Sequence, residues 1–203
     1  MRFIGITGGV GAGKSRVLAY IGQKDKVEVV LTDQVAKELM EPGGACYEGI
    51  ISMMDQRGID RAEFLKEDGT LDRPGLAKVL FRNDAIREEL NAYVHPAVKR
   101  EVLRRMEHAK ERKIQWFFVE AALLIEEHYD ALCDELWYIY ASYETRKARL
   151  KESRGYSDEK IDSIISSQQS EDVFRKYCKV WINNDGDFAK TIEEIDCVMQ
   201  KNR

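Results

Sequence analysis

The sequence has no long apolar run, no excess of basic residues and no paired cysteine motif, and each absence argues against a class of protein. The longest apolar run, Trp116–Ile125, is interrupted by Glu120 and is too short to span a membrane. The formal net charge is −4, from 32 basic and 36 acidic residues, whereas nucleic-acid-binding proteins usually carry a basic excess. The four cysteines are scattered without a CxxC pair or a Cys/His cluster, which disfavours a zinc site and a disulfide framework. We therefore expect a cytoplasmic protein that binds neither membranes nor nucleic acid.

The chain also lacks internal repeats and low-complexity linkers. Its 203 residues, of which 44% are hydrophobic and 33% are charged, are enough for one sizeable core or for a core domain with insertions. The first apolar run breaks into glycines within a few residues, so we expect no signal peptide. The composition leaves the oligomeric state open, and a monomer is compatible with it.

Short β-branched or aromatic segments alternate with helical patterns along the chain. The predicted strands are Phe3–Thr7, Val27–Leu31, Trp116–Val119, Leu136–Tyr140 and Val180–Ile182. The predicted helices include Lys14–Ile21, Gln34–Met40, Pro96–Lys113, Glu144–Glu152 and Asp158–Gln168. This alternation predicts parallel strands joined by right-handed crossovers, and therefore a doubly wound α/β sheet. Such sheets bind ligands at the carboxyl ends of their strands.

The predicted strands are unevenly spaced, which indicates insertions into the sheet. About 80 mostly helical residues separate the second strand from the third, too many for one crossover. We therefore predict one domain whose core spans residues 1–32, 114–145 and 179–203, approximately. Residues 33–113 form a helical insertion that holds the second substrate, and residues 146–178 form a small helical lid, hinged near Gly155.

A glycine-rich segment follows the first predicted strand. Residues 8–15, GGVGAGKS, satisfy the pattern G-x-x-x-x-G-K-[ST] between a strand and a helix, as a phosphate-binding loop requires. Glycines allow the backbone N–H groups to turn inward around an anion, and the helix N-terminus adds partial positive charge. Lys14 is expected to reach the β- and γ-phosphates, and Ser15 to offer its hydroxyl to Mg²⁺. The alternative, a glycine turn that precedes Lys-Ser by coincidence, has neither the strand nor the helix in its favour.

Two acidic residues come directly after predicted strands. Asp33 follows the second strand, where its carboxylate can accept the proton of an acceptor hydroxyl; alternatively, Thr32 or Asp33 caps the next helix. Glu120 closes the third strand, where an acid can orient magnesium and its waters; alternatively, it is only a solvated strand end. The sequence leaves both pairs of readings open.

The segment 146–154 is basic and helical, and its Arg146 and Arg149 share one helix face. Such arginines can neutralise charge that develops between the β- and γ-phosphates, although a basic helix is more often just a solvated face. Earlier in the chain, Pro96 suits the first position of a helix, with His95 as a cap or a local hydrogen-bond partner.

With these residues in place, the chain resembles the dephospho-CoA kinase family over almost its whole length. The landmarks that carry the resemblance are residues 5–15 (GITGGVGAGKS), 32–36 (TDQVA), 41–43 (EPG), 68–73 (DGTLDR), 90–96 (LNAYVHP), 123–126 (LLIE), Glu144-Thr145 with Arg149, Gln168, and 182–186 (INNDG). The phosphate-binding loop is common to very many proteins, whereas the other segments at these separations are far more specific.

The resemblance implies transfer of the γ-phosphate of ATP, with Mg²⁺, to the 3′-hydroxyl of dephospho-CoA. It implies a five-stranded parallel sheet of the phosphate-loop NTPase type, with an inserted helical region and a lid. It makes Asp33 the base, Arg149 a lid arginine on the phosphates, and Asn184 a neighbour of the adenine, while Arg73 and His95 either contact the acceptor or shape its pocket. Magnesium is assigned to Ser15 and Glu120. The nucleotide-binding residues are Gly9, Val10, Gly11, Ala12, Gly13, Lys14, Ser15, Arg16 and Asn184.

The chain departs from the family pattern at several positions. Ala122 stands at a usual proline, Glu120 at a usual aspartate or non-acidic residue, and Ser153 at a second lid arginine, with Arg154 next to it. Arg16 replaces a frequent threonine. Two alternatives to the CoA-forming kinase are a nucleotide or nucleoside kinase on the same scaffold, and a nucleotide-dependent switch ATPase without a small-molecule acceptor.

Overall fold

Five parallel strands form one sheet in the computed structural model, which describes residues 1–201. The strands are β1 (Arg2–Thr7), β2 (Val27–Leu31), β3 (Trp116–Glu120), β4 (Glu135–Tyr140) and β5 (Val180–Asn183), in the sheet order β2-β3-β1-β4-β5. β1 pairs in parallel with β3 and β4, and β4 pairs in parallel with β5. The predicted α/β sheet is confirmed, and each predicted strand agrees with the observed one to within a residue at either end.

Nine α-helices connect and flank the strands within residues 1–201. They are α1 (Lys14–Ile21), α2 (Thr32–Leu39), α3 (Tyr47–Gln56), α4 (Arg73–Arg82), α5 (Asp84–Glu111), α6 (Tyr143–Arg154), α7 (Asp158–Ser166), α8 (Glu171–Tyr177) and α9 (Phe188–Lys201). None of these helices is both long enough and apolar enough to cross a membrane.

The helix predicted to begin at Pro96 begins twelve residues earlier, so that prediction is wrong. α5 runs from Asp84 to Glu111 with Pro96 inside it, and His95 is therefore a helical residue and not a cap. An interior proline costs a helix about 3 kcal/mol. Residues before it, including Ile86, Leu90 and Val94, are buried, and burying side chains of this kind contributes about 1.5–3 kcal/mol each. Packing therefore outweighs the local penalty.

The chain divides into two compact units. The first comprises Met1–Val29 and the residues from Ala109 onward, and the second comprises Val30–His108. The core of the first unit lies on β1, β3 and β4, where Ile4, Phe118 and Trp137 are completely buried. Trp116 stacks on Phe118 at 5.9 Å, and Trp137 meets Phe118 edge-on at 5.4 Å between ring centroids. These contacts make the strands that carry the phosphate-binding loop a rigid base.

The second unit is helical and has a core of its own. Its completely buried side chains include Ile50, Met54, Phe64 and Ile86. A tight turn at 68–70 is closed by Asp68, whose Oδ1 accepts hydrogen bonds from the backbone N–H of Thr70 at 2.9 Å and from its hydroxyl at 2.6 Å. These bonds hold the pKa of Asp68 below its ordinary value, as expected for a carboxylate that accepts hydrogen bonds.

Candidate active site

The loop between β1 and α1 has the backbone of an anion cradle. Gly8, Gly11 and Gly13 have φ angles of 155°, 78° and 87°, which L-amino acids rarely adopt. Gly13 is the N-cap residue of α1, so the unpaired N–H groups of the first helical turn face the loop. The sequence order of strand, glycine loop and helix thus gives the backbone geometry that binds phosphate groups.

The ammonium group of Lys14 lies at the Gly8 end of this loop. Nζ donates a hydrogen bond to the carbonyl oxygen of Gly8 at 2.7 Å and lies 3.7 Å from Oε1 of Glu120. Glu120 ends β3 and is in register with Ile6 of β1, which brings the carboxylate beside the loop. Both side chains are more than four-fifths buried. The structure therefore brings together two residues that the sequence assigned to the phosphates and to the metal.

α6 carries both arginines of the basic segment onto the loop. The helix begins after Ser142, whose Oγ accepts a hydrogen bond from the backbone N–H of Thr145 and donates one to Asp185 at 2.9 Å. Arg146 and Arg149 follow in the first two turns of the helix. Three residues apart, they face the same way, as the sequence indicated.

Arg146 contacts the first half of the loop. Its Nε donates to the carbonyl oxygen of Val10 at 2.8 Å, and its Nη2 donates to Oε1 of Gln168 at 2.5 Å. The same Gln168 oxygen accepts from the backbone N–H of Val10 at 3.1 Å. Burial lowers the pKa of Arg146 from its ordinary value, but an arginine remains fully charged at physiological pH.

Arg149 contacts the second half of the loop together with Asn184. Its Nη1 donates to the carbonyl oxygen of Ala12 at 3.2 Å, and its Nη2 donates to that of Asn184 at 2.8 Å. Asn184 is 2% exposed, and its side-chain amide also donates to the carbonyl oxygen of Ala12, at 2.7 Å. A Cβ atom on Gly13 would collide with this amide. The second half of the loop is thus fixed from two sides.

A cavity of about 340 Å³ opens beside the Gly8 end of the loop. Its lining includes Thr7, Leu123, Glu126 and Phe174 together with Gln168. Gln169 donates a hydrogen bond to Glu126 at 3.0 Å and so ties the segment between α7 and α8 to the segment after β3. The cavity gives the first unit space for a ligand next to the phosphate-binding loop.

The second unit carries the three residues that the sequence assigned to the acceptor. Asp33 is exposed in the first turn of α2. The N-cap of this helix is Leu31, so neither Thr32 nor Asp33 caps it, and the capping alternative is wrong.

The other two acceptor candidates lie on the following helices of the same unit. Arg73 is the first residue of α4 and donates to Oε1 of Glu41 at 2.7 Å and to the carbonyl oxygen of Lys37 at 3.2 Å. His95 lies within α5 and is partly buried.

A comparison with models of protein families shows to which family the chain belongs. The family model described as dephospho-CoA kinase matches residues 2–190. The chain belongs to the dephospho-CoA kinase family. Two relatives named dephospho-CoA kinase, from Bacillus cereus and Carboxydothermus hydrogenoformans, are 32% and 30% identical to it over 198 residues. Each alignment covers 98% of this chain, with 96% and 93% of the relative.

A solved structure supports the fold independently of close sequence similarity. The structure described as dephospho-CoA kinase from Campylobacter jejuni superimposes with a TM-score of 0.73 at 21% identity, covering 98% of this chain and 96% of the other. The phosphate-loop kinase fold predicted from the sequence is therefore confirmed.

Three residues that differ from the pattern of the dephospho-CoA kinase family, or lie next to such a difference, have defined contacts in the structure. Ser153 donates its hydroxyl to the carbonyl oxygen of Arg149 at 2.6 Å, one turn back in α6. The exposed Arg154 lies over the ring of Tyr156 at 5.8 Å. The guanidinium of Arg16 lies 3.9 Å from the ring centroid of Phe188, so this residue is held beside the start of α1 by a cation–π contact.

The sequence does not indicate a role for Gln168 in the site. It served only as a landmark of the dephospho-CoA kinase family, because a glutamine at a helix end carries no local signal of function. It lies 158 positions from Val10 and 22 from Arg146, and only the fold brings the three together.

Proposed function

We propose that this protein transfers the γ-phosphate of ATP to the 3′-hydroxyl of dephospho-CoA, giving CoA and ADP in the last step of coenzyme A biosynthesis. The observation that carries the proposal is the family match over residues 2–190, which includes the phosphate-binding loop, the helical unit and the α6–α8 segment. Consistent with the composition, we expect the reaction in the cytoplasm, without nucleic acid or membrane.

On the donor side, residues 9–16 hold the triphosphate of ATP and Asn184 borders the adenine. Phosphoryl transfer needs mainly positioning and neutralisation of charge. The backbone N–H groups of the loop supply fixed dipoles, Lys14 supplies a charge at the Gly8 end, and Arg149 supplies one at the Ala12 end. Hydrogen bonds to carbonyl oxygens of the loop hold Lys14 and Arg149 next to the proposed place of the phosphates, where fixed charges stabilise the charge that develops during transfer.

On the acceptor side, the insertion 33–113 holds dephospho-CoA, with Arg73 and His95 as contacts. Asp33 accepts the proton of the 3′-hydroxyl as its oxygen attacks the γ-phosphorus, and ADP leaves with the electrons of the broken P–O bond. The exposed position of Asp33 in the first turn of α2 supports this role, since its carboxylate is accessible to a bound ligand. Residues 146–178 act as the lid that excludes water from the transfer.

The residues beside Lys14 fit a magnesium ion. Ser15 and Glu120 offer a hydroxyl and a carboxylate, the hard oxygen ligands that Mg²⁺ prefers. Magnesium in kinases is usually held by one or two protein oxygens together with the phosphates of the substrate, and residues 1–201 contain no ready-made cluster of three or more His, Cys, Asp and Glu side chains. When bound there, Mg²⁺ neutralises phosphate charge. Ser15 and Glu120 then serve to hold it.

A panel of acceptors tests the proposal. ADP formation from ATP and Mg²⁺ is measured with dephospho-CoA, with nucleoside monophosphates, with nucleosides and with no acceptor, at equal concentrations. We expect fast ADP release with dephospho-CoA alone. Preference for a nucleoside or its monophosphate would reject the proposal in favour of another small-molecule kinase. Hydrolysis that no acceptor increases would instead indicate a switch ATPase.

A further inference from the structure

The guanidinium of Arg146 is held against the phosphate-binding loop from three directions. Nε donates to the carbonyl oxygen of Val10, and Nη2 donates to Oε1 of Gln168. The flat face of the group covers the Cα of Gly9, where an added Cβ would come within 2.7 Å of Nη1. An arginine on a solvated helix face is free to move among rotamers, whereas this one is fixed by the loop itself and by Gln168 in the segment between α7 and α8.

The position of Arg146 identifies the end of the triphosphate that it faces. The ammonium of Lys14, which in such loops reaches the β- and γ-phosphates, donates to Gly8. Arg146 borders the next two residues of the loop, Gly9 and Val10. Arg149 borders Ala12, toward the other end. The two arginines of α6 therefore contact different halves of the loop.

Arg146 retains a donor for a ligand. Nε and Nη2 are used by Val10 and Gln168, and no acceptor among residues 1–201 engages Nη1. Because Nε and Nη2 are fixed by hydrogen bonds, the Arg146 side chain has little rotamer freedom left to lose. Its Nη1 is therefore preorganised to donate to an oxyanion.

We infer that Arg146 binds the γ-phosphate of ATP and that Gln168 is the positioning residue that holds it there. The inference rests on the proposed function for its nucleotide and goes beyond it in separating the tasks of the two arginines: Arg146 recognises the terminal phosphate, and Arg149 holds the Ala12 end of the loop. Gly9 is required because any larger side chain would occupy the place of the guanidinium.

Gly9 differs in this respect from the other glycines of the loop. Gly8, Gly11 and Gly13 have φ angles that favour glycine, whereas the φ of Gly9 lies outside the left-handed region. The backbone at this position accepts an L-residue. Gly9→Ala is therefore expected to displace the Arg146 guanidinium without straining the backbone of the loop.

The test measures nucleotide affinity without any acceptor. Dissociation constants for ADP and for the non-hydrolysable ATP analogue AMP-PNP are determined by titration calorimetry with Mg²⁺. Arg146→Ala should weaken AMP-PNP about 10- to 100-fold, the range for hydrogen bonds to charged groups, and ADP less than about threefold. Gly9→Ala should reproduce this pattern. Lys201→Ala, at the exposed end of α9 and outside the lid, is the control and should change neither constant.

The role of Gln168 is tested by two substitutions of similar size. Gln168→Met keeps the length of the side chain but has no oxygen acceptor, and Gln168→Glu keeps the acceptor. We expect Gln168→Met to weaken AMP-PNP about fivefold to tenfold with little effect on ADP. Gln168→Glu should preserve the ratio of the two affinities, although its charge weakens both. In the Arg146→Ala background, Gln168→Met should add no more than about twofold, since the residue acts through Arg146.

Several results would overturn the inference. Equal losses of ADP and AMP-PNP affinity in Arg146→Ala would show that the residue does not recognise the terminal phosphate. Multiplicative effects in the double variant would show that Gln168 acts independently, and tighter binding in Gln168→Met would make it a competitor of the nucleotide. Arg146→Lys, expected to give an intermediate loss, serves if the alanine variant does not fold. Because no acceptor is present, failure here is distinct from failure to phosphorylate dephospho-CoA.

Discussion

Replacing Asn184 by alanine should loosen the phosphate-binding loop at a cost that can be worked out from its hydrogen bonds. The side-chain amide donates to the carbonyl oxygen of Ala12 at 2.7 Å, and Oδ1 accepts from the hydroxyl of Thr191 at 3.2 Å. In Asn184→Ala, the Ala12 carbonyl and the Thr191 hydroxyl each keep another hydrogen bond. Ala12 still accepts from Arg149 at 3.2 Å, and Thr191 still donates to the carbonyl oxygen of Asn183 at 2.9 Å.

The loss of stability in Asn184→Ala depends on which polar groups keep a hydrogen-bond partner. The Asn184–Ala12 hydrogen bond is lost whole, and the Thr191 contact only in part, because one hydroxyl hydrogen is shared between Asn183 and Asn184. A neutral hydrogen bond contributes about 0.5–1.5 kcal/mol net, and the larger penalty for a buried group left without any partner does not arise. We therefore expect the free energy of unfolding to fall by about 1–2 kcal/mol. For a chain of this length, that corresponds to a melting temperature lower by about 2–8 °C.

The nucleotide should respond more strongly than the fold. Because Asn184 fixes Ala12 beside Gly13, its loss frees the half of the loop that precedes α1, and we expect the dissociation constant for ATP to rise about tenfold. Scanning calorimetry gives the stability and titration calorimetry the affinity. Thr191→Val, which removes one donor and leaves the Asn184–Ala12 bond, is the matched control and should leave ATP affinity within about twofold.

Two outcomes would contradict these expectations for Asn184→Ala. A loss of more than about 3 kcal/mol would mean that an unsatisfied polar group is left behind, contrary to the bonds described. Normal ATP affinity despite reduced stability would mean that Asn184 supports the fold alone.

Three further predictions concern the base, the metal and the pH. Asp33→Asn should lower kcat at least about 100-fold, since an amide cannot accept the proton, with ATP affinity within twofold; normal turnover would reject Asp33 as the base. Glu120→Gln should raise the Mg²⁺ concentration for half-maximal rate several-fold, and an unchanged requirement would remove Glu120 from the metal site. The ion pairs with Arg104 and Arg105 lower the pKa of Glu101 from 4.5 to about 2, so they stabilise the fold above pH 4.5 and are lost as the pH falls toward 2. Glu101→Gln should therefore reduce the free energy of unfolding by about 1 kcal/mol at pH 7. Urea titrations of the two proteins should show this difference becoming smaller below pH 4.5. A difference that does not change with pH would contradict the role given to these ion pairs.

The strands and the phosphate-binding loop could be predicted because their signals are local. The apolar segment of β1 followed by GGVGAGKS needs no distant residue to form a strand, a loop and a helix, and α1 has the predicted bounds, Lys14–Ile21. The start of α5 could not be predicted in this way. Pro96 favours a helix start by its own chemistry, but the helix includes it because the residues before it are buried.

The part of the candidate site that lies within one sequence motif could be predicted. The contacts between residues that are distant in the sequence could not. Helical spacing placed Arg146 and Arg149 on one face, but it could not say which part of the loop each would contact. Gln168 reaches Val10 and Arg146 only because the segment between α7 and α8 comes back to the loop. The acceptor roles of Asp33 and the other residues of the second unit remain predictions that rest on the family resemblance.

The proposed reaction of this chain is phosphorylation of the 3′-hydroxyl of dephospho-CoA. The most direct measurement incubates the protein with ATP labelled at the γ-phosphate, Mg²⁺ and dephospho-CoA, and identifies the labelled product by chromatography and mass spectrometry. We expect the label to appear in CoA, with ADP formed in equal amount, and to be released by a 3′-nucleotidase. Label found only in inorganic phosphate, or on another hydroxyl of the acceptor, would contradict the claim.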